Sequence, residues 1–114
     1  MDQARLTSLR RGLLEALVLA TISSGKVYVA DILERLRAAD FETQEGTLYP
    51  LLSKMRREKL LDYEWRESTA GPPRKYYGLT ATGKEQLDAF RDDLASLSSL
   101  ISELENDTNH AESD

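Results

Sequence analysis

The chain has 114 residues, 40% of them hydrophobic and 31% charged, which suits one globular domain and leaves no room for two independent cores. A mean hydropathy of -0.49 with no apolar run near about twenty residues excludes a membrane-spanning helix, and the absence of cysteine excludes disulfides and thiolate zinc sites. The formal charge of -5 argues as a whole against a polyanionic partner, but it is split: residues 1–78 carry 13 Lys and Arg against 11 Asp and Glu, a net of +2, and residues 79–114 carry 2 against 9, a net of -7.

The first apolar series is Leu6, Leu9, Leu13, Leu14, Leu17, Val18 and Ile22. Spacings of three and four predict a helix with one buried face, ending near Ser23-Ser24-Gly25. Glu15 and Thr21 interrupt its apolar stretch and no small-residue cleavage site follows, so a secretory leader is not expected and a reducing cytoplasm is the expected compartment. Tyr28 to Ala39 reads as a shorter helix, with Ile32, Leu33 and Leu36 inward and Glu34, Arg35 and Arg37 outward. A polar loop follows, and then a third helix over roughly Glu45 to Glu58.

On a helical wheel Leu51, Leu52, Met55 and Lys59 fall within about 60° of Leu48. The far side carries Gly46, Thr47, Pro50, Ser53, Lys54 and Arg57, with Tyr49 and Arg56 on the flank. Proline is tolerated in a first helical turn, which places the start of this helix close to Thr47.

From Leu60 to Glu67 the period changes to two: Leu61, Tyr63 and Trp65 alternate with Asp62, Glu64 and Arg66, as in a half-buried strand. Ser68-Thr69-Ala70-Gly71-Pro72-Pro73 reads as a six-residue tip and Arg74 to Leu79 as the returning strand. A fourth helix starts at Thr80 or Thr82, the latter forming a capping box with Glu85. Its apolar residues Leu87, Phe90, Leu94, Leu97, Ile101 and Leu104 repeat in alternating steps of three and four, the seam of a coiled coil. Residues 106–114 lack an apolar anchor and are expected to be a disordered acidic tail.

Three helices followed by a hairpin are the order of a winged helix-turn-helix, a mainly α (α+β) fold with a two-stranded wing. The expected division is a DNA-binding domain at 1–79, a dimerisation helix at 80–105 and a tail at 106–114. In such a domain the third helix enters a major groove and the hairpin lies along neighbouring phosphates. Lys54 and Arg57 would reach phosphates or guanine edges, Thr47, Tyr49 and Ser53 would offer hydroxyls, and Arg74 and Lys75 would supply cations at the wing. The competing reading is an ordinary solvated face, with Glu58 among the basic residues. The seam of helix four has too many large apolar side chains for one small module to cover, so a second copy is the expected partner; the competing reading is a fold-back onto its own domain. Two-fold pairing implies a pseudo-palindromic operator in double-stranded DNA, with half-sites about one turn apart.

Gly46-Thr47-Leu48-Tyr49-Pro50-Leu51-Leu52 resembles the LYP motif that opens the reading helix of PadR-type transcriptional regulators. Trp65, followed by Gly71-Pro72-Pro73-Arg74-Lys75-Tyr76-Tyr77-Gly78-Leu79-Thr80-Ala81-Thr82-Gly83, is similar to that family's wing signature. The resemblance spans about residues 6–104. It implies a dimeric repressor of the short subfamily, released from DNA by small aromatic or toxic compounds, with DNA roles on Thr47, Tyr49, Pro50, Lys54, Arg74 and Lys75. The second helix departs from the family's Tyr-Gly-Tyr-Glu-Ile-like start, reading Tyr28-Val29-Ala30-Asp31-Ile32. Leu94 stands where some short members carry a tryptophan that stacks flat drugs between subunits.

Other signals dissolve on inspection. Gly78 to Lys84 spells most of a phosphate-binding loop, but Glu85 stands where Ser or Thr should hold magnesium and a hairpin precedes it. Asn106-Asp107-Thr108 matches a glycosylation sequon without a leader to expose it. His110, the sole histidine, has no companion ligands nearby, and no cofactor, metal or enzymatic activity is expected. A strand tryptophan is ordinarily core, yet Trp65 beside the dimer helix could line an effector cavity, so Trp65 and Leu94 are the candidate effector contacts. The expected function is a homodimeric, cytoplasmic DNA-binding repressor. Its rivals are a protein-interaction module and a ligand-binding scaffold with little DNA role.

Overall fold

Among the residues the structure describes, the apolar periodicity becomes three helices, a hairpin and one long helix: α1 (Arg10–Ser23), α2 (Val29–Ala38), α3 (Glu45–Arg57), β1 (Leu61–Ser68), β2 (Gly71–Leu79) and α4 (Ala81–Glu112). The computed structural model describes residues 9–112, without the side chains of Arg10, Arg11 and residues 108–112. Leu6 therefore lies outside the described residues, as do residues 113–114 and the side chain of His110. The core is built from Val18, Leu19 and Ile22 of α1, Ile32 and Leu36 of α2, and Leu48, Leu52 and Met55 of α3, with Leu61 and Tyr77 closing it from the hairpin. Leu9, expected on the buried face of α1, is exposed instead.

Helices α2 and α3 end in the same way, and neither ending uses glycine. Asp40 and Lys59 adopt left-handed backbone with φ of 64° and 63°. The Phe41 N–H donates to the Leu36 carbonyl at 2.8 Å and the Leu60 N–H to the Met55 carbonyl at 2.9 Å. These are Schellman closures, whose apolar residues Phe41 and Leu60 are buried in the core. Lys59, expected on the apolar side of the third helix, is thus an exposed residue beyond its end. The start also moves. α3 begins at Glu45, so Pro50 occupies the sixth helical position and withholds the bond its N–H would have given Gly46.

The hairpin is tighter than the composition of its tip implied. β1 and β2 pair antiparallel from Leu61↔Leu79 through Arg66↔Arg74 to Ser68↔Gly71, so Gly71, Pro72 and Pro73 belong to the strand and Thr69 and Ala70 alone make the turn. The register shifts between Arg66 and Ser68, a bulge on the proline-bearing strand. Prolines are tolerated there because both strands of a two-stranded sheet are edges. A third chain segment joins the sheet at one point: the Tyr77 N–H donates to the Val27 carbonyl at 2.7 Å and the Val27 N–H returns to Tyr77 at 3.1 Å. That bridge ties the wing to the start of α2.

The wing, α3 and α4 meet at a small polar knot. The Thr80 hydroxyl caps α4 by accepting from the Gly83 N–H at 2.9 Å, so Thr80 and not Thr82 is the cap. The same hydroxyl donates to the Lys59 carbonyl at 2.7 Å, with the Leu60 carbonyl as a second, longer acceptor at 3.1 Å. Gly83 is required by packing: a Cβ there would sit 2.1 Å from the Leu60 carbonyl oxygen. The glycine of the false phosphate-loop signature therefore lets α4 cross the end of α3.

Leu87 is buried in the core of its own module, and Phe90 lies half-buried beside α1 near Gly12, Ala16 and Leu19. These two residues of the six-residue seam serve intramolecular docking. From Leu94 onward the helix leaves the module, and Leu94, Leu97, Leu100, Ile101 and Leu104 are all exposed. The radius of gyration of 18.1 Å exceeds the roughly 13 Å of a compact chain of this length. The helix continues to Glu112, through most of the stretch expected to be a disordered tail. Neither glycine nor proline interrupts it after Gly83, and once its first turns are docked each added residue closes a further backbone bond.

Candidate nucleic-acid interface

Helix α3 buries Leu48, Leu52 and Met55 and turns Gly46, Pro50, Ser53 and Arg57 outward, all exposed. Its two flanks differ. On one, Thr47 is exposed and Lys54 lies toward α1, with its ammonium 3.5 Å from a Glu15 carboxylate oxygen and 3.3 Å from one of Glu58. These carboxylates, Glu58 foremost, raise the Lys54 pKa above the ordinary lysine value. The charge of Lys54 is therefore already answered inside the molecule.

The other flank faces the wing and carries Tyr49 and Arg56. The Arg56 guanidinium lies 4.3 Å from the centroid of the Tyr63 ring. On the wing, Lys75 sits over the same ring at 4.6 Å and over Trp65 at 5.3 Å, while Arg74 lies over Tyr28 at 4.9 Å. Aromatic rings hold these cations in place without neutralising them. Among the described residues, no carboxylate pairs with Arg56, Arg57, Arg74 or Lys75. The remaining wing cation, Arg66, pairs with Glu64 at 2.8 Å, and Glu64 also receives Lys26 at 3.1 Å. Arg66 first, then Lys26, holds the Glu64 carboxyl below the usual glutamate value.

Between the first turn of α2, the start of α3 and the wing lies an open cleft of about 610 Å³. Tyr49, Trp65, Arg74 and Lys75 line it, with Tyr28 and the buried Tyr77 at its floor and Glu45 at its edge. Burial raises the Tyr77 pKa above the ordinary tyrosine value, so its hydroxyl stays protonated near neutrality. Trp65 is 60% exposed, against the expectation of a core residue. On the alternating side of β1 that it shares with Leu61 and Tyr63, burial falls from Leu61 through Tyr63 to Trp65, so the strand has run past the cover of the core by the time it reaches the tryptophan. α4 contributes nothing to the cleft, and Leu94 is remote from its lining. The two candidate effector contacts are thus not brought together.

Comparison with known proteins decides the family. The model of the transcriptional regulator PadR-like family matches residues 18–89. The chain belongs to the PadR-like family. Its structure is similar to a PadR-like transcription factor from Bacteroides fragilis, with 37% identity over 90% of this chain and 99% of the other, at a TM-score of 0.78. A PadR-like regulator from Bacillus cereus is similar at 36% identity, covering 85% and 95% of the two chains with a TM-score of 0.75. The fold also resembles that of Bacillus subtilis PadR in complex with operator DNA, at 22% identity, a TM-score of 0.63, and coverage of 68% of this chain and 46% of the other. No curated protein matches the chain.

Within this PadR-like chain, the structure brings some of the residues singled out in the sequence together and separates others. Tyr49, Arg74 and Lys75 converge on one cleft, Pro50, Ser53 and Arg57 share the outward stripe of α3, and Lys54 stands apart on the α1 side. Arg56, on the flank of the helical wheel and not among the expected contacts, comes to the wing side through its seat on Tyr63. A signal existed in its position one turn beyond Leu52 and beside Tyr49, but the ring that orients it comes from β1. Among the described residues no helix is long and apolar enough to cross a membrane.

Proposed function

We propose that this PadR-like regulator binds operator DNA sequence-specifically as a homodimer, represses transcription from the cytoplasm, and is released by a small aromatic effector. The observation that carries the DNA reading is the set of four cations, Arg56, Arg74 and Lys75 on the wing side of α3 and Arg57 on its outward stripe, which have no carboxylate partners among the described residues. In a major-groove complex the outward stripe of α3 would meet base edges while Arg74 and Lys75 meet phosphates. The complex of Bacillus subtilis PadR with operator DNA supports the same use of the fold.

The homodimer rests on the exposed distal seam of α4. Covering the exposed halves of Leu94, Leu97, Leu100, Ile101 and Leu104 is worth on the order of 5 kcal/mol gross per chain before association costs. Two-fold pairing there would set two copies of α3 about one DNA turn apart. The test is a gel shift on DNA flanking the protein's own gene, titrated with salt, beside sedimentation of wild type and L97E/I101E. Specific binding that weakens steeply with salt, and a monomeric L97E/I101E variant with lost operator binding, are the expected results. Equal affinity for scrambled DNA overturns the reading.

A further inference from the structure

We infer that the cleft between α3 and the wing is a binding site for a planar aromatic anion, such as an aryl carboxylate, which competes with DNA for the same surface. The inference deepens the effector part of the proposed function: it gives the effector a site and a charge, and it rests on that reading only for its consequence on DNA.

Three features of the cleft point to this chemistry. Its volume of about 610 Å³ lies in the range of small-molecule pockets, roughly 300–1,000 Å³. Its walls include the two large rings the fold leaves most open, Trp65 at 60% and Tyr49 at 49% exposure. A flat ring placed against them would remove apolar surface from water on both partners and stack with offset geometry. The third feature is the pair of cations. Lys75 hangs over the Trp65 ring and Arg74 over Tyr28, and neither is answered by a carboxylate among the described residues. An anionic group on the ligand would meet both charges, the arginine with a bidentate geometry suited to carboxylate. Glu45 at the edge of the cleft opposes an anion, but it is one carboxylate against the two cations Arg74 and Lys75, so the lining keeps a net positive charge.

The site differs from an inter-subunit pocket in its consequence. A ligand seated there covers Tyr49, Arg74 and Lys75 directly, so it excludes the phosphate backbone without altering the spacing of two reading helices. Release then follows from mutual exclusion, in which ligand and DNA each lower the other's affinity.

The indole N–H of Trp65, the chain's sole tryptophan, gives one resolved signal for NMR titration of the full chain without DNA. The probe is 2-naphthoate, with 2-naphthalenemethanol as the uncharged ring and acetate as the ringless anion. The expected result is a saturable shift of the Trp65 indole with 2-naphthoate, at least fivefold weaker affinity for 2-naphthalenemethanol, and no response to acetate. R74Q and K75Q should each weaken 2-naphthoate by at least fivefold while their other amide signals stay in place. No saturable shift, equal affinity for the charged and neutral rings, or shifts centred on Leu94 and its neighbours would overturn the site. A labelled operator duplex, titrated separately, then reads the competition: 2-naphthoate should displace wild-type protein, and simultaneous binding of both would overturn the exclusion. A chain that binds 2-naphthoate at Trp65 but no operator would overturn the DNA reading and leave the ligand site standing.

Discussion

The cations of this chain occupy two kinds of environment, and the two flanks of α3 set them side by side. Toward α1, Lys54 is held by Glu15 and Glu58, and on the wing Lys26 and Arg66 share Glu64, Arg66 lying also over the Tyr76 ring at 4.6 Å. Toward the wing, Arg56, Arg74 and Lys75 are held by Tyr63, Tyr28 and Trp65. Both arrangements orient a long flexible side chain, but a carboxylate cancels the field that a polyanion would feel and a ring does not. A local sum of charges therefore misplaces the positive surface. What distinguishes an uncompensated lysine from a compensated one here is the identity of the group that holds it.

That contrast is open to attack at several points. The largest effect is expected where the frame common to both flanks is broken. In G83A the new methyl meets the Leu60 carbonyl, the crossing of α4 over the end of α3 is forced apart, and stability falls by roughly 3 kcal/mol. Chemical denaturation measures it, and an unchanged midpoint would show that the crossing is not rigid. Next comes the ring-held set. R56Q/R74Q/K75Q should weaken operator binding by roughly tenfold to hundredfold and flatten the salt slope by about one per lost phosphate contact, with unfolding little changed.

The carboxylate-held lysine should behave differently. K54Q is expected to change operator affinity by less than about threefold and stability by less than about 1 kcal/mol, since exposed ion pairs contribute little. A loss as large as that of the wing triple would erase the distinction. The smallest effect concerns Glu64, whose carboxyl is held below its ordinary value of 4.5 by Arg66 and Lys26. A lowered acid contributes stability in full above that ordinary value and loses it as pH falls through the folded-state value. The difference in denaturation midpoint between wild type and E64Q should accordingly be small at pH 7 and vanish in acid. A difference that grows on acidification would contradict the pairing.

Much of the fold was legible in the chain because hydrophobic period is a local property. Leu48, Leu52 and Met55 mark one face of α3 whatever surrounds it, and the alternation from Leu61 to Trp65 marks a strand. The errors share a cause as well. Gly71-Pro72-Pro73 reads as turn chemistry, yet a two-stranded wing has edges on both sides and accepts proline within a strand. Trp65 sits on the inward beat of its strand, but inward is defined by whatever covers that side, and the cover that buries Leu61 and half-buries Tyr63 does not reach it. The seam of α4 is regular from Leu87 to Leu104, and regularity does not tell which positions dock on α1 and which project beyond it.

The sequence by itself determined the kinds and order of the elements, the winged-helix class, the family and the face of α3 that turns outward. Each follows from residues near one another in the chain, through periodicity, turn preference and motif spacing. Only the tertiary structure decided that Lys54 is spent on Glu15, that Arg56 joins the wing side through Tyr63, and that Gly83 must lack a side chain beneath Leu60. Those are contacts between segments distant along the chain. Charge compensation and steric fit depend on distance in space, which no local pattern encodes.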